Sequence, residues 1–268
     1  MTREATRIGS WLADWLADGG HVLFVTDYDG TLTSIVPSPD AAWLPEAVRD
    51  DLQVLTRTPR MHVGIVSGRD LVDLRERVVV PEAVYAGCHG LEIEGPGISF
   101  RYPVALAQQE TLIEIGLELT LLAPTVPGLH VELKRLGVGV HYRHVAVKHV
   151  QRVEREVADA NQQRGSRLKI FRGAKVIEVQ PRVGWTKGDC VRWIRDAVGH
   201  ASPPPLTVYM GDDWTDERAF EALVGQAVTI RVGRAVPASR AACHLPNVAD
   251  AQHLVRALAA GVRQRGMA

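Results

Sequence analysis

Apolar and polar positions along this chain switch between two periods, and the switches divide it into elements. Val22-Leu23-Phe24-Val25 is a short apolar run bounded by Gly19-Gly20 and by Asp27-Tyr28-Asp29-Gly30, which predicts a buried strand. Upstream, Trp11, Leu12, Trp15 and Leu16 recur at helical spacing between Asp14 and Asp18. They predict an amphipathic helix packed on the core and stopped by the two glycines. Downstream, Pro45 opens a helix reaching Thr56, with Val48, Leu52 and Leu55 on one face. Val63-Gly64-Ile65-Val66 predicts a strand, the stretch through Leu71 and Leu74 a helix, and Ala83-Val84-Tyr85-Ala86 another strand. Strands separated by amphipathic helices pair in parallel with right-handed crossovers.

From Glu92 to Tyr102 the alternation around Gly95-Pro96-Gly97 signals a hairpin. The order then becomes helix, strand, strand twice over: 106–122, 130–134 and 139–143, followed by 147–161, 168–172 and 175–179. Two αββ units in tandem predict a small antiparallel sheet with two helices on one face. Parallel-sheet order resumes with a helix over 187–198, the connector Pro203-Pro204-Pro205, a strand Leu206-Thr207-Val208-Tyr209-Met210 and a helix after Gly211-Asp212-Asp213. A strand over 227–231 and a helix over 250–265 complete the chain. The expected fold class is therefore α/β: a Rossmann-like core with a parallel sheet from 1–104 and 182–268, and a small α+β cap inserted at 105–181.

Composition narrows the partners. With 268 residues, 46% of them hydrophobic, the chain can bury one large core or two modest ones. Its 31 basic residues balance 31 acidic ones, so charge points to neither nucleic acid nor a membrane surface. Cys88, Cys190 and Cys243 form no disulfide framework and no Cys-x-x-Cys pair, which suits a reducing cytoplasm. Acids interrupt the N-terminal segment too closely for a signal peptide or a membrane span. Lysine supplies only five of the basic residues, at 134, 148, 169, 175 and 187. Where arginine is the default cation, a retained lysine marks a place for a compact, flexible ammonium.

Candidate chemistry gathers at strand ends. Asp27 and Asp29 stand where the first strand runs into Gly30-Thr31; at i and i+2 they share a side while Tyr28 faces away. Acids at the end of a buried strand need a positive partner, such as a metal ion. Ser67-Gly68-Arg69 offers a hydroxyl and backbone N–H groups at a strand-to-helix turn, a natural phosphate cradle. Lys187 opens a helix against the helix dipole, where a purely structural helix would gain more from an acid. Asp212, Asp213, Asp216 and Glu217 crowd four acids into six residues, which repel unless something divalent is bound.

Asp27-Tyr28-Asp29-Gly30-Thr31 resembles the first motif of the haloacid dehalogenase-like (HAD) phosphohydrolases. Ser67-Gly68-Arg69, Lys187 and Gly211-Asp212-Asp213-Trp214-Thr215-Asp216-Glu217 resemble the second, third and fourth. The resemblance implies that Asp27 attacks phosphorus to form an aspartyl-phosphate and that Asp29 shuttles the proton. It also implies that Ser67, Gly68 and Arg69 hold the phosphate and that Lys187 neutralises charge. Mg²⁺ is then expected on Asp27, the carbonyl of Asp29 and Asp212, with Asp213 or Asp216 ligating or holding water.

Within that superfamily the chain is similar to the trehalose-6-phosphate phosphatases over most of its length. The similarity includes Leu32 after the first motif, Gly87-Cys88-His89-Gly90, Val131-Glu132-Leu133-Lys134, His141-Tyr142-Arg143 and Gly173-Ala174-Lys175-Val176-Ile177-Glu178-Val179-Gln180-Pro181. It implies hydrolysis of trehalose 6-phosphate, a small-molecule sugar phosphate, with a trehalose-6-phosphate synthase as pathway neighbour. His89, Glu132, Lys134, Arg143, Lys175 and Glu178 are the expected sugar contacts. Glu132 is expected to pair with Lys134 and Lys175 with Glu178, the second pair needing a bulge or bend because three residues separate its members. Leu133 and Gln180 depart from the family's usual acid and arginine, which keeps sucrose phosphate and mannosylglycerate phosphate open as substrates. A catalytically silent sugar-phosphate-binding module is the reading from another class. Cys88-His89 is not expected to act as a nucleophile pair, since adjacent side chains in a glycine-flanked loop point apart. His130, His141, His144 and His149 read as ordinary surface or core histidines.

Overall fold

The computed structural model describes residues 2–36, 38–165, 167–173, 175–199 and 204–267. In chain order its elements begin with α1 (Arg3–Ala17), β1 (Val22–Asp27), α2 (Glu46–Arg57), β2 (Met61–Val66), α3 (Leu71–Val78), β3 (Val84–Gly87), β4 (Glu92–Gly95) and β5 (Ile98–Arg101). Next come α4 (Pro103–Leu106), α5 (Gln109–Leu122), β6 (His130–Lys134), β7 (Gly137–His141), α6 (Val147–Gln163), β8 (Leu168–Arg172) and β9 (Val176–Pro181). The chain finishes with α7 (Lys187–Val198), β10 (Leu206–Gly211), α8 (Trp214–Ala222), β11 (Val228–Val232), β12 (Cys243–Leu245) and α9 (Val248–Gln264). Two compact units result, one from the chain up to Phe100 and from Trp185 onward, the other from Arg101–Gly184.

In the first unit eight strands run in the order β12-β11-β10-β1-β2-β3-β4-β5. β1 sits mid-sheet between β10 and β2, parallel to both, and all six of its residues are buried, as a strand covered on both faces requires. Val22, Phe24 and Tyr28 point into a core shared with Leu12, Leu52 and Leu258, whereas Leu23 and Val25 point into one shared with Ile194 of α7 and Phe220 of α8. The period of two carries Asp27 to the second side, where α7 and α8 begin.

Some local readings change. Trp11 and Trp15 are 41% and 43% exposed, and α1 instead buries Ile8, Leu12 and Leu16. One residue along a helix turns the face by about 100°, enough to carry both indoles to the rim. The helix expected over 106–122 is two helices, because Pro103 starts α4 and Gln108 leaves helical geometry at φ −103°, ψ 2°. The hairpin strand β4 extends the main sheet antiparallel to β3, and β12 pairs with β11 as a further edge strand. Pro203 of the proline connector lies outside the described residues.

The second unit is a four-stranded antiparallel sheet, β6-β7-β9-β8. Val138, Val140, Ile177 and Val179 are buried with Leu112, Ile115 and Leu119 of α5 and Val153 and Val157 of α6. Among the described residues, no helix is long and apolar enough to cross a membrane.

Candidate active site

β1 delivers Asp27 to the sheet end with only 4% of its surface exposed, and Lys187 meets it there with Nζ 2.6 Å from Oδ1. The same ammonium donates to Asp216 Oδ1 at 2.8 Å. Lys187 holds this place against the dipole of α7 because a capping box starts the helix: Thr186 Oγ1 accepts from the Asp189 amide, and Asp189 Oδ2 accepts from the Thr186 amide. Burial would raise the Asp189 carboxyl, but the Thr186 and Arg192 hydrogen bonds outweigh it and hold the group below its usual range. Its contribution is therefore present above the unfolded pKa and lost as pH falls through the folded one. Thr186→Ala is expected to cost about 1 kcal/mol at pH 7 and less in acid, measured by urea unfolding.

The acids of the 211–217 turn divide by task. Asp216 Oδ1 accepts from Lys187 and from the Tyr209 hydroxyl at 2.5 Å, while Oδ2 accepts the amides of Asp212 and Asp213 at 3.0 and 3.1 Å. Four donors fill that carboxylate. Asp213 caps α8, its Oδ1 taking the Thr215 and Asp216 amides and the Thr215 hydroxyl. Asp212 turns the other way, accepting from Thr31 Oγ1 at 3.3 Å. Oxygens of Asp27, Asp212 and Asp216 lie within 4.8 Å of one another. Gly30, at φ +85°, permits this: a Cβ there would stand 2.2 Å from Asp212 Oδ2.

Burial pushes Asp27 well above the ordinary carboxyl range, Lys187 opposes the shift, and Asp216 and Asp212 add to it. Burial and then the Asp216 and Asp213 charges push Asp212 up to about 7. Burial would raise Asp213 as well, yet Lys187 and the Thr215 and Asp216 hydrogen bonds hold it at about 2. Lys187 itself lies well above its usual value, because attraction to Asp216 and Asp27 outweighs its burial. One ammonium thus faces several closely set acids, an arrangement that suits a divalent cation among oxygen donors.

The second turn is bound to a third. Ser67 Oγ accepts from the Arg69 amide at 3.1 Å, the His89 amide donates to Ser67 O at 2.8 Å, and the Cys88 amide donates to Arg69 O at 2.7 Å. Cys88 and His89 both carry positive φ, 49° and 59°, a conformation that persists only where surrounding contacts enforce it. The His89 ring lies against Gly68, where a Cβ would be 2.7 Å from Nε2. The structure brings Arg69 to carboxylates: Nε and Nη2 donate to Asp29 at 2.7 and 2.8 Å, and Nη1 to Asp73 at 2.8 Å. A planar guanidinium matches a carboxylate in two-pronged fashion, so Asp29 claims it. Asp73 also accepts from Arg77 Nε at 2.7 Å. Asp73, Arg77 and Tyr209 went unread in the sequence, although Arg69, Asp73 and Arg77 follow one another at i+4.

The second unit carries its own polar face. Register aligns Glu132, Gly139 and Glu178 across β6, β7 and β9. Alternation adds His130, Lys134, Gly137, His141 and Gln180 to the same side. Gly139 leaves bare backbone over which Glu132 and His141 reach each other: a Cβ there would stand 3.1 Å from both Glu132 Oε2 and His141 Nε2. The expected Glu132–Lys134 pair is present but long, and both members have closer partners. Lys134 Nζ donates to Glu178 at 2.9 and 3.0 Å and stands 3.8 Å from Glu132, whose closer partner is His141 at 2.9 Å. Lys175 precedes β9 at φ +69°, so the expected bend exists, but its ammonium rests 5.9 Å over the Tyr142 ring. His141, read as an ordinary histidine, belongs to this face. Arg143 is exposed in the turn after β7, and Ala174 lies outside the described residues.

The profile of the trehalose-phosphatase family matches residues 25–250. The chain belongs to this family. Trehalose-phosphate phosphatase of Mycobacterium tuberculosis is 39% identical to it over 236 residues, 87% of this chain and 59% of the relative. The chain therefore spans about three-fifths of the length of that curated relative. The C-terminal domain of Candida albicans trehalose-6-phosphate phosphatase superposes with a TM-score of 0.75 at 23% identity, covering 94% of this chain and 96% of that one. A haloacid dehalogenase-like hydrolase from Bacteroides thetaiotaomicron gives 0.60 at 14% identity, over 88% of this chain and 99% of its own, so the trehalose-phosphatase fold here is HAD-like.

Proposed function

We propose that this trehalose-phosphatase family member is a Mg²⁺-dependent phosphatase that hydrolyses trehalose 6-phosphate to trehalose and phosphate through an aspartyl-phosphate on Asp27. The observation that carries the reading is Lys187 bridging Asp27 and Asp216, with Asp212 set beside them. Asp27, Asp212 and the carbonyl of Asp29 would hold Mg²⁺, with Asp213 at hand for a water, while Asp216, filled by four donors, fixes Lys187. The ion supplies neutralisation of the negative oxygens brought together when phosphate meets carboxylate.

Asp27 is the nucleophile. Its carboxylate oxygen bonds to phosphorus as the bond from phosphorus to the sugar oxygen breaks, and Asp29, protonated and parted from Arg69 once substrate is bound, gives that leaving oxygen a proton. Asp29 then takes a proton from water, whose oxygen bonds to phosphorus as the bond to Asp27 breaks. Phosphate leaves and the Asp27 carboxylate is restored. Lys187 and the Ser67 hydroxyl face charge on the transferring oxygens, where most of the stabilisation in such reactions resides.

We assign sugar recognition to the glycine-floored face of Arg101–Gly184, with Glu132, Lys134, Glu178 and His141 as its core and Lys175 and Arg143 at its rim. Carboxylates and ammoniums side by side accept from and donate to sugar hydroxyls. Gly139→Val forces Glu132 and His141 apart; the expected result is KM raised roughly tenfold with kcat little changed, the mark of lost ground-state binding. A trehalose-6-phosphate synthase would supply the substrate, and a reducing cytoplasm suits three cysteines none of which is in a disulfide.

The reading is tested by phosphate release from a panel of esters with Mg²⁺. Trehalose 6-phosphate is expected to lead; a preference above about tenfold for sucrose phosphate or mannosylglycerate phosphate replaces the substrate. No release above an Asp27→Asn control from any ester replaces the enzyme with a silent binding module.

A further inference from the structure

We propose that Tyr209 is a positioning residue for phosphoryl transfer, holding the Lys187 ammonium against Asp27 through Asp216; this rests on the phosphatase reading above. Tyr209 pairs with Val25 of β1, two residues before Asp27, and its side chain enters the core beneath α7 and α8. The ring is fully buried and meets Phe220 edge-on with centroids 5.8 Å apart, so packing aims the hydroxyl. That hydroxyl donates to Asp216 Oδ1, the same oxygen that takes Lys187.

Sharing one oxygen gives the hydroxyl its function. Asp216 is completely buried, so water does not reach it to replace a lost donor, and an unsatisfied buried oxygen is costly. With the hydroxyl in place, Asp216 Oδ1 is satisfied by two donors and Lys187 lies slightly closer to Asp27, at 2.6 Å, than to Asp216, at 2.8 Å. Without it, the ammonium is the remaining donor on that oxygen and is drawn toward Asp216. The charge that should face the nucleophile and the incoming phosphate then sits too deep.

Tyr209→Phe removes the one oxygen and keeps the ring. In a crystal structure of that variant the Lys187 Nζ to Asp27 distance is expected to open beyond about 3.2 Å, outside hydrogen-bond range. For p-nitrophenyl phosphate and trehalose 6-phosphate alike, kcat is expected to fall roughly tenfold while KM stays within about twofold, the split that marks an interaction made in the transition state. Phe220→Leu, which disturbs the same packing and spares the hydroxyl, is the structural control. Lys187 unmoved in Tyr209→Phe, or equal kcat losses in the two variants, overturns the proposal. Should the wild-type chain release phosphate from neither ester, the phosphatase reading falls, and the position of Lys187 alone decides the link: displacement upholds it and an unmoved ammonium rejects it.

Discussion

Lys187→Met is expected to lower phosphate release by about 1,000-fold or more and to destabilise the folded chain by about 3–5 kcal/mol at pH 7. The ammonium is buried between Asp27 and Asp216, both of which lose their cation when it goes. Burial already raises both carboxyls, and removing the lysine raises them further. Groups whose folded pKa exceeds the unfolded one bind protons more tightly in the native state, so the variant loses stability as pH climbs above the unfolded value near 4. Wild type keeps the lysine's contribution across this range, because the folded Lys187 pKa is raised and its stabilisation fades only in strong alkali. Urea unfolding at pH 4.5 and pH 7 checks the sign: the deficit should be small at the lower pH and large at the higher. A deficit independent of pH would mean that Lys187 acts through packing.

Asp27→Asn is expected to remove activity even more completely, by about 10,000-fold or more, yet to leave stability unchanged or higher. The amide cannot carry the phosphoryl group. It is, however, neutral and nearly isosteric, and it relieves a buried carboxylate whose ionisation is opposed by desolvation and by three neighbouring acids. Lys187 keeps Asp216, so no charge is stranded. Thermal unfolding beside an assay of phosphate release separates the two variants: both inactive, with stability lowered in Lys187→Met alone. Loss of activity without loss of stability is expected where function requires an arrangement that folding alone would not favour.

The layout of the molecule was legible because its physics is local. Buried parallel strands must be continuously apolar, as at 22–25, and tandem αββ order at 105–180 has few ways to pack. That Asp27, Lys187 and Asp212 would gather was legible for the converse reason, since acids at the end of an apolar strand and a lysine opening a helix break local rules. What escaped was set by register and by competition among partners. Nothing near Glu132 announces that Gly139 and Glu178 will lie in line with it, so the closer pairing of Lys134 with Glu178 appears only once three strands are aligned. Nothing near Arg69 in sequence announces that Asp29 will lie on one of its edges, with Asp73 on the other. Tyr209 is one more aromatic in an apolar strand, and only its hydroxyl's target sets it apart. β12 is three residues long with a histidine at its centre, too short to carry a period.

The most direct measurement is a crystal structure of the chain grown with Mg²⁺ and beryllium fluoride, a mimic of a phosphoryl group on a carboxylate. The expected result is beryllium bonded to an Asp27 oxygen, Lys187 facing the fluorides, and the metal ion held by Asp27 and Asp212. An unmodified Asp27 still closed on Lys187, with the fluoride complex elsewhere or absent, in protein that releases phosphate from sugar esters, would contradict it.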